Sequence, residues 1–313
     1  MTFGFQIPNR GPLATPENLR TLATRAEEMS FDHLWVIDRV AIPTQSSSPY
    51  PYGPPGSSPL QPDQPYCEAL STLTYLAGFT QRIKLGTSVL LIPLRDPVLT
   101  AKIIATLDYL SGGRVILGAG VGWLEEEFEA LGLNIFAERG KVTDEYIRIF
   151  KELWTKEEPQ YQGQYYQVSG IKFHPKPVQK PHPPIWIGGH SPAALRRAAS
   201  IGDGWMPAGL IGPVSLEPAE MAEQIDQLRN WTEKLGRPRE AVEVAFSTFV
   251  SFDSPGAGPR RTLSGSPQEM AADIVRYQQV GVKHFVFAFL GNEMEPLLEN
   301  MEQFAKEVRP LVR

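Results

Sequence analysis

The segment Ile185-Trp186-Ile187-Gly188-Gly189-His190-Ser191-Pro192-Ala193 decides how this chain is read. A short run of β-branched and aromatic residues ends in two glycines. A serine followed by proline then opens a helix. Glycines let backbone N–H groups approach an anion, and the helix start adds partial positive charge, so this turn suits a phosphate. The local pattern fits equally well a tight turn with nothing bound.

The same strand–turn–helix unit recurs on both sides. Runs at residues 3–7, 33–37, 83–92, 114–117, 184–187, 204–206, 242–252 and 284–290 read as strands. Several are continuously apolar, as strands buried on both faces are. Helical segments fall between them, at 15–29, 67–79, 97–110, 125–131, 137–154, 192–200, 218–235, 267–280 and 293–308. Thr15 and Pro16 give a start signal for the first, and Leu19, Leu22, Ala23 and Ala26 share its apolar face. Eight such units in 313 residues match a (β/α)8 TIM barrel, an α/β fold, with a doubly wound sheet as the alternative.

Two stretches break the rhythm. Residues 42–65 hold eight prolines and follow a strand directly, which places them at the C-terminal face where barrel active sites form. Residues 157–184 are rich in proline and tyrosine. Both sit inside strand–helix units, so one barrel over residues 1–313 with excursions over a barrel end is expected, rather than two domains. The first excursion is expected to form a lid or pocket wall.

Composition narrows the function. A net charge of −5 gives no support for nucleic-acid binding, and the single Cys67 excludes a disulfide framework or a Cys-rich metal site. The five histidines lack metal-ligand spacing. No signal segment and no membrane-length apolar run are read, so a cytoplasmic protein without nucleic-acid or membrane partners is expected.

Three further stretches could carry chemistry. Gly118, Gly120 and Gly122 end a strand, but their G-x-G-x-G spacing does not match a dinucleotide fingerprint. They read as close backbone packing, against a flat ligand or against the protein itself. Asp38 and Arg39 end another strand and can bind a polar ligand or pair with each other. Gly86, Thr87 and Ser88 interrupt a long apolar run and suggest a bulge. The carboxylates Glu125, Glu126 and Glu127 read as a solvated helix start.

Taken together these residues resemble a known family. Trp35-x-x-Asp38, the Gly86-Thr-Ser-Val-Leu run, the segment from Leu107 to Trp123, Ala137-Glu-Arg-Gly140 and the segment from Lys176 to Ser191 are similar to the luciferase-like monooxygenase superfamily, in its F420-dependent oxidoreductase branch. The resemblance implies a barrel that holds the deazaflavin F420, or FMN, at the C-terminal strand ends. It implies that Asp38 lies at the polar edge of the ring system, orienting the ring or Arg39. Ser88 and Val89 would back the ring, often through a non-prolyl cis peptide. Gly120, Val121 and Gly122 would border the cofactor, and Gly188, Gly189, His190 and Ser191 would hold its phosphate. Trp35, Trp123 and the Pro/Tyr-rich excursion are expected as pocket walls. The branch commonly carries His after the strand-end Asp; this chain has Arg39, which stays protonated and cannot act as a base. Three functions follow: hydride transfer between F420 and a small organic substrate, FMN-dependent oxygenation, or flavin binding without turnover. A homodimer is expected by the same resemblance.

Overall fold

The computed structural model describes residues 1–53, 60–211, 213–252 and 260–312. Part of the first excursion, residues 54–59, lies outside the described residues. In chain order the strands are β1 (Thr2–Gln6), β2 (His33–Val36), β3 (Lys84–Thr87), β4 (Leu90–Leu91), β5 (Val115–Gly120), β6 (Tyr161–Gln162), β7 (Gln167–Val168), β8 (Ile185–Gly188), β9 (Gly204–Met206), β10 (Glu243–Val250) and β11 (His284–Phe289). The helices are α1 (Pro16–Glu28), α2 (Ala69–Ala77), α3 (Pro97–Ser111), α4 (Glu125–Ala130), α5 (Arg139–Thr155), α6 (Pro192–Ile201), α7 (Pro218–Lys234), α8 (Pro267–Val280) and α9 (Met294–Gln303).

Strand order is β3-β2-β1-β11-β10-β9-β8-β5-β4, and β3 also pairs with β5. Every one of these pairings is parallel, so the sheet closes on itself as an eight-stranded barrel in which β3 and β4 are two parts of one staggered strand. The expected single strand over 83–92 is therefore broken. The break is Ser88–Val89, whose peptide bond is cis.

Local chemistry starts the helices. Thr15, Asp96, Ser191 and Ser266 each accept an N–H from the first turn, and each precedes a proline. Phe3, Phe5, Phe285 and Phe287 belong to the large cluster that packs the helices on the outside of the barrel. A separate cluster of Trp35, Ile116, Trp186, Met206, Ala245 and Val286 fills the interior. Its two indoles lie 5.3 Å apart. Glycine makes that filling possible: a Cβ on Gly86 would stand 2.4 Å from Trp35, and one on Gly204 would stand 2.4 Å from Trp186. Trp35 is thus interior filling and does not wall a pocket, contrary to expectation.

A polar chain runs below this filling. The Trp35 Nε1–H, which can only donate, gives a 2.8 Å bond to His33 Nδ1. His33 therefore carries its proton on Nε2 and donates to Thr2 Oγ1 at 2.8 Å. The Thr2 hydroxyl in turn donates to His284 Nδ1 at 2.7 Å. Burial, helped by the charges of His284 and Lys84, holds His33 well below its ordinary 6.5, so it stays neutral in the fold. The unfolded chain takes up that proton below about pH 6.5 and the fold does not. Stability from this group is then full above pH 6.5 and falls by about 1.4 kcal/mol per pH unit below it. Urea unfolding at pH 7, 6 and 5 checks this, and a His33→Gln variant should show a shallower decline.

The two excursions leave from different ends. Residues 42–53 and 60–65 follow β2, and Tyr50, Tyr52 and Leu60 among them stand at the C-terminal face, whereas 157–184 follow α5 and lie against α3 and α5 instead of over a barrel end. There the β6–β7 hairpin is held by Glu145, which accepts the N–H groups of Gln164, Tyr165 and Tyr166 at 2.7–2.9 Å. Further on, Gln179 donates to Asp108 at the end of α3 at 2.7 Å, and Lys176 Nζ donates to the Leu153 carbonyl at 2.6 Å. Glu145 and Asp108, both buried, tie this excursion to α5 and α3.

Candidate active site

A cavity of about 240 Å³ opens at the C-terminal ends of the strands. Of the residues expected there, Asp38, Arg39, Ser88, Val89, Gly188 and Gly189 line it, as does Trp123. Gly120, Val121, Gly122, His190 and Ser191, also expected there, are not among the lining residues. The first excursion supplies Tyr50, Tyr52 and Leu60, and Tyr66 follows directly after it. Tyr50 lies 5.2 Å from Trp123 after β5, and Tyr52 lies 6.0 Å from His190 after the neighbouring β8.

Asp38 does not pair with Arg39. Its carboxylate is almost fully buried and takes a two-pronged bond from Arg95, 2.7 Å on each oxygen, plus the Leu91 N–H at 2.9 Å. Arg95 also donates to Glu68 at 2.9 Å. Such a planar fork fixes both partners. Arg39 pairs instead with Glu127 at 2.5 Å, and it lies 5.0 Å over the Trp123 ring.

Glu127 corrects the expectation of a solvated helix start. It is fully buried and also accepts the N–H groups of Val40 and Ala41, at 2.8 and 3.3 Å. Glu126 accepts the N–H groups of Ser47 and Ser48 at 2.6 and 3.0 Å. Burial pushes its carboxyl up, but these bonds and that of the Ser48 hydroxyl outweigh it and hold it down at about 2. The acidic start of α4 is a clamp on residues 39–48. Nothing in the sequence near Glu127 distinguishes it from its neighbours, and its partners lie 86 to 88 residues away.

The glycines serve the bulge. A Cβ on Gly120 would come within 2.3 Å of Val89, and one on Gly188 within 2.7 Å of it. The Val89 side chain is seated between two strands that have none at those positions, and so faces the cavity as a fixed wall. Gly122, with φ of +82°, offers its carbonyl to Arg139 Nε at 3.0 Å.

The turn after β8 ends in Ser191, whose hydroxyl accepts the Ala194 N–H at 3.2 Å as an N-cap. Gly189 has φ of +91°, and a Cβ there would meet nothing closer than Ala194, at 3.5 Å. His190 Nδ1 is buried with no hydrogen-bond partner among the described residues. Burial lowers the His190 pKa, so the ring is neutral at pH 7. A buried unpaired nitrogen at the start of a ten-residue helix calls for a polar ligand atom. Around the rest of the cavity the free groups are mostly donors. Burial raises the Tyr50 and Tyr66 hydroxyls and takes Tyr52 to about 12, so all three keep their protons.

Comparison with known proteins bears on this site. A family model described as luciferase-like monooxygenase matches residues 1–257. An F420-dependent glucose-6-phosphate dehydrogenase of Amycolatopsis mediterranei is 29% identical over 337 residues, covering 95% of both chains. An FMNH(2)-dependent dimethylsulfone monooxygenase of Pseudomonas putida is 26% identical over 291 residues, covering 79% of this chain and 78% of that one. Among solved structures, an F420-dependent secondary alcohol dehydrogenase superposes with a TM-score of 0.78 at 18% identity, over 100% of this chain and 99% of that chain. Among the described residues no group of side chains could hold a metal, and no helix is long and apolar enough to cross a membrane.

Proposed function

The chain belongs to the luciferase-like monooxygenase family, and on that premise we propose that it is an oxidoreductase that passes a hydride between F420 and a small organic substrate. When bound, the deazaflavin supplies the hydride chemistry. The observation that carries this reading is a donor-rich cavity beside a turn suited to phosphate. The unpaired His190 Nδ1, the open space at Gly189 and the start of α6 fit a cofactor phosphate. The Val89 wall and Trp123 fit a flat ring.

The two charged residues at the end of β2 have restricted roles. Asp38 is engaged by Arg95 and Arg39 by Glu127, so both charges are already paired within the protein. Among the described lining residues the other protic groups are Arg10, the Gln6 amide, the Trp123 indole, the protonated tyrosines and the Ser88, Ser247 and Thr248 hydroxyls. Such a wall stabilises negative charge that develops on a substrate as hydride arrives. This supports reduction of the substrate rather than oxidation, which needs a base. Likeness over nearly the whole of an F420-dependent dehydrogenase supports the choice of cofactor.

The second reading is FMN-dependent oxygenation, favoured by the Pseudomonas relative. Two reactions separate them. Anaerobic mixing with reduced F420 and a panel of carbonyl and alkene acceptors should oxidise the deazaflavin. Oxygen uptake with reduced FMN and none with F420 would favour the second reading. Binding without turnover in either arm would indicate a flavin-binding protein.

The phosphate assignment has its own test. Gly189→Val forces a branched side chain into the left-handed region and crowds the turn. Cofactor Kd is expected to rise by at least about tenfold, roughly 1.4 kcal/mol. An unchanged Kd, with folding intact by circular dichroism, would show that the phosphate lies elsewhere.

A further inference from the structure

Only three charged residues line the cavity among those described: Arg10, Asp38 and Arg39. Asp38 is matched by Arg95 and Arg39 by Glu127, with distances of 2.5–2.7 Å. Arg10 has no ion pair and no side-chain hydrogen bond among the described residues. Among the described residues, Arg10 is thus the one positive charge of the lining without a carboxylate partner.

Arg10 is exposed, yet its backbone is firmly placed. Arg10 forms an antiparallel bridge with Tyr66, where the end of the first excursion meets the loop after β1. On either side, the Gly11 N–H donates to the Pro65 carbonyl and the Cys67 N–H to the Asn9 carbonyl, both at 2.9 Å. Asn9 itself is fully buried and donates to the carbonyls of Ile37 and Cys67 at 2.8 and 2.9 Å. The guanidinium thus projects from a fixed point at the cavity mouth, next to the Tyr66 and Tyr50 hydroxyls. Its five N–H donors have no carboxylate among the described residues to receive them, and the two hydroxyls add further donors beside it. The same cavity is also lined by Val89, Leu91, Trp123, Met206 and Phe249.

We propose that Arg10 is the anion anchor of this cavity, and that the molecule bound there is an organic carboxylate or phosphate with an apolar or aromatic body. As an assignment of substrate class this rests on the proposed oxidoreductase reading, because the anion would belong to the acceptor that receives the hydride. The same chemistry could be offered by an anionic group of the cofactor. A fork of donors binds a carboxylate or phosphate through two parallel bonds, which a neutral amide cannot match.

Calorimetric titration of the cofactor-loaded protein with benzoate and with benzamide tests this, since the two probes share a ring and differ in charge. Wild type is expected to bind benzoate at least about tenfold more tightly than benzamide. Arg10→Gln should abolish that preference, and Arg10→Lys should keep part of it. With cofactor Kd unchanged in Arg10→Gln, the anion belongs to the substrate. A cofactor Kd raised about tenfold in Arg10→Gln, with no benzoate preference in wild type, assigns the anion to the cofactor and still makes Arg10 its anchor. Equal affinity for the two probes, or no benzoate binding, together with an unaltered cofactor Kd in Arg10→Gln, overturns the proposal. If neither F420 nor FMN binds, the oxidoreductase reading fails separately, and the same two probes titrated into the protein alone still decide the role of Arg10.

Discussion

Glu127→Ala is expected to cost about 3–5 kcal/mol of stability, the range for removing one partner of a buried ion pair. The carboxylate has no solvent exposure, and the Arg39 side chain retains only 9%. Truncation strands the guanidinium and also frees the N–H groups of Val40 and Ala41. Arg39 lies over Trp123, so the loss should reach the cavity wall and weaken ligand binding as well. Glu127→Gln keeps an acceptor of the same shape and should cost less. Urea unfolding of both variants, with tryptophan fluorescence as a second readout, checks the order. A loss below about 1 kcal/mol in Glu127→Ala would mean that the pair behaves as an exposed one.

Gly118→Ala is the second large effect. The added methyl would stand 1.8 Å from the Thr87 carbonyl oxygen and 3.0 Å from Met206. The first of these is backbone of the neighbouring strand, already fixed by the Thr87 hydroxyl donating to the Gly118 carbonyl at 2.8 Å. Overpacking of a core costs about 1–3 kcal/mol where side chains can yield. Here they cannot, so a loss of about 3 kcal/mol or more is expected. Gly78→Ala is the control: its methyl would meet only the Tyr75 carbonyl, at 3.5 Å, and stability should stay level or rise by a few tenths of a kcal/mol. Thermal melts of the two variants beside wild type read this directly.

These two residues also mark how far the sequence could be read. Helix starts were legible because caps are local: Thr15 before Pro16 and Ser191 before Pro192 act within one turn. Strands were legible from apolar runs bounded by turn residues. The strand break at Ser88–Val89 followed from its glycine, hydroxyl and family context. What stayed hidden depends on distance in the chain. Glu127 looks like Glu125 and Glu126, and only the fold brings it to Arg39. Asp38 has an arginine directly after it, yet its partner is Arg95, 57 residues on. Gly120 and Gly188 suggested space for a ligand, whereas their space is taken by Val89 from the break between β3 and β4. Arg10 carried no motif, and its significance rests on what fails to pair with it. The many prolines of residues 42–65 read as a lid or pocket wall, but which side chains line the cavity, Tyr50 and Tyr52 with the adjoining Tyr66, was not legible.

The central claim is that this barrel holds F420 for hydride transfer, and cofactor titration tests it most directly. Purified protein freed of bound small molecules is titrated in parallel with F420 and with FMN, following quenching of the cofactor and of Trp123. Saturable binding of F420, with FMN at least about tenfold weaker, is the expected result. Tight FMN binding without F420 binding would contradict it.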